Sequence, residues 1–336
     1  MSLLSHKRRS RTTYVLFLVI AAIACAVALD FALNWQIRPH TSGQARGTTQ
    51  EDNAAATTNG VLSSDELDVR FLDVGQGDAL IAFFPDGKTL VVDAGQDGGQ
   101  AVVDALERAG RTRIDWLVAT HPDADHIGGM PTILDTVDVG DVFAPEVSHT
   151  TRTYTNFLTA VERNNLYIHA AYAGNSLEEN ADYQIDILWP PKDASFSETN
   201  DYSIVLKLTY KETSFLLTGD APAEALREIG EQNIDVLKVS HHGSASGMTY
   251  ALARSLRPRF AVISYGLNND YGHPTQLTMD ALTKVGTQIY GTGAQGTITI
   301  ATDGTHIDVS TERAGEVEAE SKRAGSRSRN LSYEDR

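Results

Sequence analysis

Short apolar runs separated by turn chemistry dominate residues 66–311, and two long blocks of them follow one plan. Ala79 to Gly95 (ALIAFFPDGKTLVVDAG) reads as an apolar strand, a polar turn, a second apolar strand and a small-residue turn carrying an aspartate. Ser203 to Asp220 (SIVLKLTYKETSFLLTGD) repeats that order. Strand formers bounded by Gly, Pro and Asp predict β-structure, and Pro85-Asp86-Gly87-Lys88 supplies the turn of a hairpin. Ile114 to His121 (IDWLVATH) then matches Ile234 to His241 (IDVLKVSH) position for position in type, so two similar strands each deliver a histidine at the C-terminal end. Ala101–Gly110, Thr155–Asn164, Ala221–Gly230 and Thr278–Val285 carry helical spacing and stop signals, and Phe260 to Tyr265 is a further apolar strand. The pattern predicts an α/β domain of two related halves with pseudo-two-fold symmetry. Two sheets pack face to face with helices outside, and a site fed by both halves lies between them.

Outside that domain the chain changes character. Lys7, Arg8, Arg9 and Arg11, within a basic cytoplasmic segment 1–12, precede an apolar run from Val15 to Leu29, then Asp30 and a short apolar patch to Trp35. Residues 13–35 read as a single signal anchor or as a signal peptide cleaved near Ala26-Val27-Ala28, and the positive charges place the downstream chain outside the cytoplasm in either case. The anchor is preferred, because A-x-A cleavage patterns arise easily in alanine-rich segments. Residues 36–65, rich in Thr, Gly, Ala, Gln and Asp, form a flexible linker, and residues 312–336, without hydrophobic periodicity, a disordered tail. The only cysteine, Cys25, lies in the apolar segment, where its preceding residues fit lipid attachment poorly.

The stretch Thr120 to Gly129 (THPDADHIGG) brings His121, Asp123, Asp125 and His126 together beside a glycine pair. Pro122 biases His121 towards an extended conformation. In an extended loop alternate side chains share a face, so His121, Asp123 and Asp125 converge and His126 points elsewhere. That spacing suits two cations side by side, one on His121 and Asp123, the other on Asp125 and His126. Imidazole with carboxylate suits zinc, and a carboxylate-rich set also suits manganese. A plain strand-to-helix loop is the competing reading, and the second histidine-bearing strand argues against it.

Seven segments then occur in one order between about Leu67 and Val309: LDVGQGDA (Leu72–Ala79), VVDAG (Val91–Gly95), THPDADHIGG, NDYSIVL (Asn200–Leu206), LLTGD (Leu216–Asp220), LKVSHHGS (Leu237–Ser244) and YGHP (Tyr271–Pro274). In that set the chain resembles the metallo-β-lactamase fold, specifically the branch forming the C-terminal domain of ComEC-type competence proteins. The resemblance implies an αββα sandwich with a dinuclear metal centre at one edge. It implies His121, Asp123, Asp125 and His126 as the first metal motif, Asp220 as the bridging carboxylate and His241 as the late histidine ligand. Asp123 departs from the zinc lactamases, standing in place of a second histidine, and NDYS replaces another histidine of those enzymes. The larger share of oxygen donors leaves the two divalent ions as Zn²⁺ or Mn²⁺, with Mg²⁺ as a third option. A full ComEC-type protein carries a polytopic membrane domain. The chain is therefore expected either to serve a separately encoded membrane channel or to act alone.

Other residues gain candidate roles in that company. Asp220 by itself reads as a turn aspartate. His241 and His242 are adjacent, so an extended backbone allows one ligand, and the match to His121 favours His241. His242 then has a catalytic or phosphate-contacting role, alongside Asp125 and His273 as catalytic candidates. Asn200 and Ser244 are placed to hydrogen-bond a substrate oxygen, whereas Asp78 and Asp93 read as supports rather than ligands. The loop Gly75-Gln76-Gly77-Asp78 lacks the third glycine of a dinucleotide fingerprint and leads into a strand, which excludes a nucleotide-cradling helix.

Charge restricts the partner. Asp+Glu 44 against Lys+Arg 28 gives a net charge of -16, which repels polyanions, and no basic stripe of a general DNA binder is present. Two divalent cations restore about four positive charges locally. The expected function is an exported, membrane-tethered metallohydrolase in which a metal-bridged hydroxide attacks a phosphodiester, single-stranded DNA included, in DNA uptake or processing. Hydrolysis of a lactone, thioester or β-lactam is the alternative chemistry, and a non-catalytic tethered assembly component the alternative of another class.

Overall fold

Whether a strand is covered on one face or two decides its sequence pattern, and the central strands here are covered on both. The computed structural model describes residues 65–320; the apolar segment with Cys25, the linker through residue 64 and residues 321–336 lie outside the described residues. The first half supplies β1 (Leu67–Phe71), β2 (Leu80–Phe83), β3 (Thr89–Val92), β4 (Arg113–Val118), β5 (Asp138–Ala144) and β6 (Ile168–Ala170). The second supplies β7 (Ser176–Glu179), β8 (Tyr183–Trp189), β9 (Val205–Tyr210), β10 (Thr213–Leu217), β11 (Val236–Lys238), β12 (Phe260–Ile263) and β13 (Gln288–Gly291). A closing hairpin, β14 (Ile298–Thr302) and β15 (Ile307–Thr311), returns to the first sheet beside β1. The eight-stranded sheet has the order β15-β14-β1-β2-β3-β4-β5-β6 and the seven-stranded sheet β13-β12-β11-β10-β9-β8-β7.

The two-half plan is visible in the pairing. β2 and β3 form an antiparallel hairpin to which β4, β5 and β6 add in parallel. β9 and β10 form the corresponding hairpin, followed in parallel by β11, β12 and β13.

Alternation sorts the side chains between layers. Leu80, Ala82, Leu90 and Val92 join Leu206, Leu208, Phe215 and Leu217 in a core formed by both sheets. Ile81, Phe83 and Val91 point the other way and meet Val102 and Leu106 of α1 (Gly99–Arg108). After the single turn α2 (Ala124–Ile127), α3 (Met130–Thr136) and α4 (Arg152–Arg163) add Ile133 and Phe157 to that layer. On the outer face of the second sheet, α5 (Ala223–Ile229), α6 (Tyr250–Leu256) and α7 (Gln276–Lys284) contribute Leu226, Leu252 and Leu282. The single turn α8 (Thr292–Gln295) links β13 to β14. Thr151, Thr249 and Thr275 cap α4, α6 and α7 by accepting from the backbone N–H three residues on. Each cap contributes about 1 kcal/mol, less than the roughly 1.5–3 kcal/mol of one buried leucine, so packing rather than capping holds the layers. The caps do fix where α4 and α7 begin, a few residues before the starts expected at Thr155 and Thr278.

The tail needs correction at its start. Residues 312–320, expected to be disordered, lie against the domain: Glu312 Oε2 accepts from Thr297 N (2.9 Å), Arg313 pairs with Asp73 (2.9 Å), and Glu320 N donates to Pro274 O (2.9 Å). Val317 and Ala319 pack on the outer core of the second sheet. Two small apolar residues set between glutamates are too few to register as periodicity. No helix of the described residues is long and apolar enough to cross a membrane.

Candidate metal centre

Asp93 follows β3, His121 lies just beyond β4, Asp220 beyond β10 and the pair His241-His242 beyond β11, so strands from both sheets deliver their polar residues to one edge. The first motif reaches that edge by a turn rather than an extended loop. Asp123 has extended backbone (φ -75°, ψ 149°), but α2 begins at the next residue and reverses the chain. The expectation that His126 points away from His121 is therefore overturned, since the two buried rings lie 4.0 Å apart. Asp123 Oδ2 stands 3.7 Å from His121 Nε2, and His126 Nε2 stands 3.4 Å from Asp220 Oδ1. The turn sits tightly on its neighbours: Asp78 N donates to Asp125 O (3.0 Å), and a Cβ on Gly77 would overlap that same carbonyl.

The second motif departs from extended backbone as well. His241 (φ 51°) and His242 (φ 54°) are both left-handed, a conformation that costs a non-glycine residue on the order of 1 kcal/mol or more. The bend is held by His241 N donating to Gly219 O (3.2 Å), Ser244 N to His241 O (2.8 Å) and His242 Nδ1 to Ser264 O (2.9 Å). Alternation no longer applies, so both rings reach Asp220 Oδ2, His242 Nε2 at 3.5 Å and His241 Nε2 at 3.8 Å. The rule that only one of them can approach the centre fails for that reason. His242 is the buried one, with its Nε2 also 3.2 Å from Asp125 Oδ2. The His241 side chain is 30% exposed and turns Nδ1 towards Asn200 Nδ2 and Ser246 Oγ, each at 3.4 Å.

Possible donor atoms gather within 4.8 Å of one another in four overlapping sets: His121, His126 and Asp220; Asp125, His126 and His242; Asp78, Asp220 and His242; and Asp78, Asp93 and His126. The outward ring nitrogens are already engaged. His121 Nδ1 donates to Thr120 Oγ1 (3.1 Å) and His126 Nδ1 to Asp93 Oδ2 (2.7 Å), while Asp93 also accepts from Thr120 N (2.8 Å) and Thr120 Oγ1 (2.7 Å). What is left buried without a hydrogen-bond partner includes Nε2 of His121, His126 and His242 and Oδ1 of Asp220. Leaving such atoms unpaired costs about 1–3 kcal/mol each. Three imidazole nitrogens and a carboxylate oxygen, held by outer hydrogen bonds, fit divalent cations.

Charge in the site runs the same way. Burial alone raises the Asp220 pKa, but His242, His126 and Lys238 outweigh it and hold the carboxyl well below the usual range. Asp125 is lowered by its His242 and His126 neighbours against burial, and Asp123 by its hydrogen bond to His121. Burial disfavours charge on His126 and His242, yet Asp220 with Asp93 raises His126 well above its ordinary value. Asp220 with Asp78 pushes His242 up to about 10. His241, mainly through burial, is lowered. The surrounding carboxylates favour positive charge at the inner histidines, which protons or divalent cations would supply.

Sequence reasoning passed over Lys238. Its ammonium is buried, pairs with Asp78, donates to Gly219 O (3.1 Å) and lies 3.9 Å from Asp220 Oδ1. A lysine between Leu237 and Val239, in a strand buried throughout, was the signal. Among the remaining candidates, Asn200 reaches the mouth beside His241, and the His273 ring lies 5.5 Å from that of His241. Ser244 Oγ turns instead to Ser246 Oγ (3.0 Å), on the exposed side of the turn.

Residues 72–181 match the family described as the metallo-beta-lactamase superfamily. The chain is 29% identical over 257 residues to ComE operon protein 3 of Bacillus subtilis (strain 168), a match covering 70% of this chain and 33% of that protein. It is 29% identical over 249 residues to Recombination protein 2 of Haemophilus influenzae, covering 71% and 29% respectively. Competence protein ComA of Neisseria gonorrhoeae is 24% identical over 246 residues, covering 70% and 32%. The chain thus spans about a third of the length of the curated relatives it matches. Among solved structures, the metallo-beta-lactamase fold protein YhfI from Bacillus subtilis aligns with 70% of this chain and 100% of its own at 10% identity, with a TM-score of 0.48.

Proposed function

From the premise of a mixed α/β metallo-beta-lactamase fold similar to one part of ComEC-type competence proteins, we propose that this chain is a dinuclear metallohydrolase that cleaves phosphodiesters. The observation that carries the reading is the set of buried, unpartnered donor atoms converging on Asp220 from both halves of the chain. Asp125, His126 and His242, whose donor atoms lie within 4.8 Å of one another, would hold one cation, and His121 and Asp220, with Asp123 and the more exposed His241 beside them, would hold the other. His242 thereby joins the ligand set that the sequence reading closed with His241.

Two divalent cations, when bound there, would supply a water of lowered pKa and neutralise charge building on phosphoryl oxygens. The protein's own groups do the rest. Asp93 and the Ser264 carbonyl keep His126 and His242 turned so that Nε2 faces inward. Lys238 holds Asp78 ionised beneath the donors without itself needing a cation. His242 is too deep to meet a leaving group, so protonation there falls to His273 at the mouth, with Asn200 binding a substrate oxygen. The carboxylate-rich donor set favours phosphodiesters over lactams, and the competence and recombination in the names of the relatives are in keeping with DNA as the substrate. The tether at residues 13–35 and the linker to residue 65 belong to the same proposal on sequence alone, and put the hydrolase outside the cytoplasmic membrane.

The test is metal content and turnover of the full-length chain, loaded with Mn²⁺ or Zn²⁺, on a nitrophenyl phosphodiester and a single-stranded oligonucleotide. Two equivalents of metal are expected, and Asp220→Ala should lower turnover roughly hundredfold or more. Unchanged turnover in Asp220→Ala would defeat the mechanism.

A further inference from the structure

The loop from Gly266 to Pro274, between β12 and α7, carries an arrangement that metal binding does not use. Asn269 is buried at its centre, and the loop backbone engages both ends of its amide. Oδ1 accepts from Tyr271 N and His273 N, each at 3.1 Å, and Nδ2 donates to Gly266 O (2.9 Å) and His273 O (2.5 Å). Glu320 clasps the loop from outside, accepting from Asn268 N (3.2 Å) and donating to Pro274 O (2.9 Å). A loop fixed this firmly nonetheless leaves Tyr271 57% exposed.

One exposed tyrosine is ordinary on a protein surface, so its place must decide. The Tyr271 ring lies nearly parallel to that of His273, 24° between planes and 5.8 Å between centroids. His273 meets His241 edge-on at 5.5 Å, and His241 Nε2 is 3.8 Å from Asp220 Oδ2. A row of rings therefore leads from the cluster of donors out to solvent. In a nucleotide the base is separated from its phosphate by a sugar, so a phosphodiester held by cations beside Asp220 would present a flanking base on the side where this row of rings opens. A net charge of -16 works against gripping a polyanion by charge, whereas stacking on an aromatic face needs no positive charge and tolerates every base.

We propose that Tyr271 is the stacking platform for the base flanking the phosphodiester at the metal centre. The inference rests on the phosphodiesterase reading and gives it a substrate class: single strands bearing bases, rather than duplexes, whose bases are already stacked. The experiment compares a dinucleoside monophosphate with its abasic counterpart on the full-length chain loaded with Mn²⁺. Wild-type protein should prefer the base-bearing substrate. Tyr271→Ala should shrink that preference roughly 5- to 150-fold, mainly through KM, while Tyr271→Phe and Tyr271→Trp keep it. An equal loss on both substrates, or a loss in Tyr271→Phe as large as in Tyr271→Ala, would overturn the platform and leave phosphodiester cleavage standing. Wild-type protein that turns over neither substrate would overturn the phosphodiesterase reading itself and the platform with it.

Discussion

Replacing Lys238 by methionine keeps most of the side-chain stem and removes the ammonium. In the folded protein that ammonium is paired with Asp78, both groups being less than a tenth exposed, and lies 3.9 Å from Asp220 Oδ1. Burial by itself raises the Asp78 pKa, and Lys238 followed by His242 reverses this and holds the carboxyl well below the usual range. Unit charges 4 Å apart at an effective dielectric of 20 interact by about 4 kcal/mol, and breaking a buried pair by removing one partner costs about 3–5 kcal/mol. At roughly 2–4 °C per kcal/mol for a domain of this size, the unfolding midpoint of Lys238→Met should fall by about 6–20 °C. Circular dichroism melts in chelator, where bound cations do not mask the loss, are the assay. The double variant Lys238→Met with Asp78→Asn leaves no charge buried alone and should recover at least half of the loss. Additive losses in the double variant would refute the reasoning, because they would show that the ammonium does not compensate Asp78.

Two further outcomes are expected. Asp93→Ala removes the acceptor of His126 Nδ1 at 2.7 Å and should weaken metal affinity by about 10- to 100-fold in a competition titration with a chelating dye; unchanged affinity would show that Asp93 does not orient the ligand. His126 and His242 have folded-state pKa values raised above those of the unfolded chain, so in chelator their stabilisation is complete below about pH 6.5 and is lost at higher pH, that of His242 as pH rises through about 10. Cations compete for the same Nε2 atoms, so metal affinity should rise with pH over that window and binding should release protons; calorimetry in buffers of different ionisation enthalpy that finds no release would contradict the ligand assignment.

The hairpins β2-β3 and β9-β10 were legible because turn chemistry and apolar runs are local signals. The repeated strand ending in histidine exposed the two-half plan for the same reason. Residue identities at the centre were legible too, but not their placement. His126 joins His121 only because α2 turns the chain, and His241 and His242 share a carboxylate only because of a left-handed bend held by Gly219 and Ser264 from distant strands. Lys238 escaped notice because lysine is ordinarily a surface residue, and nothing nearby in the chain names its partner at Asp78.

The candidate ligands are divided along the chain, with His121 to His126 on one side and Asp220 to His242 on the other. A polypeptide delivered N-terminus first holds only half a coordination set until the second histidine-bearing strand has arrived and packed. An ion that needs the complete donor set would then be bound late, from whatever is dissolved where folding finishes. Nitrogen and oxygen donors rank the divalent metals by intrinsic affinity, but availability at the moment of closure decides which of them is trapped. The occupant of such a centre would then depend on the order of assembly and the place where assembly ends as well as on its donor atoms.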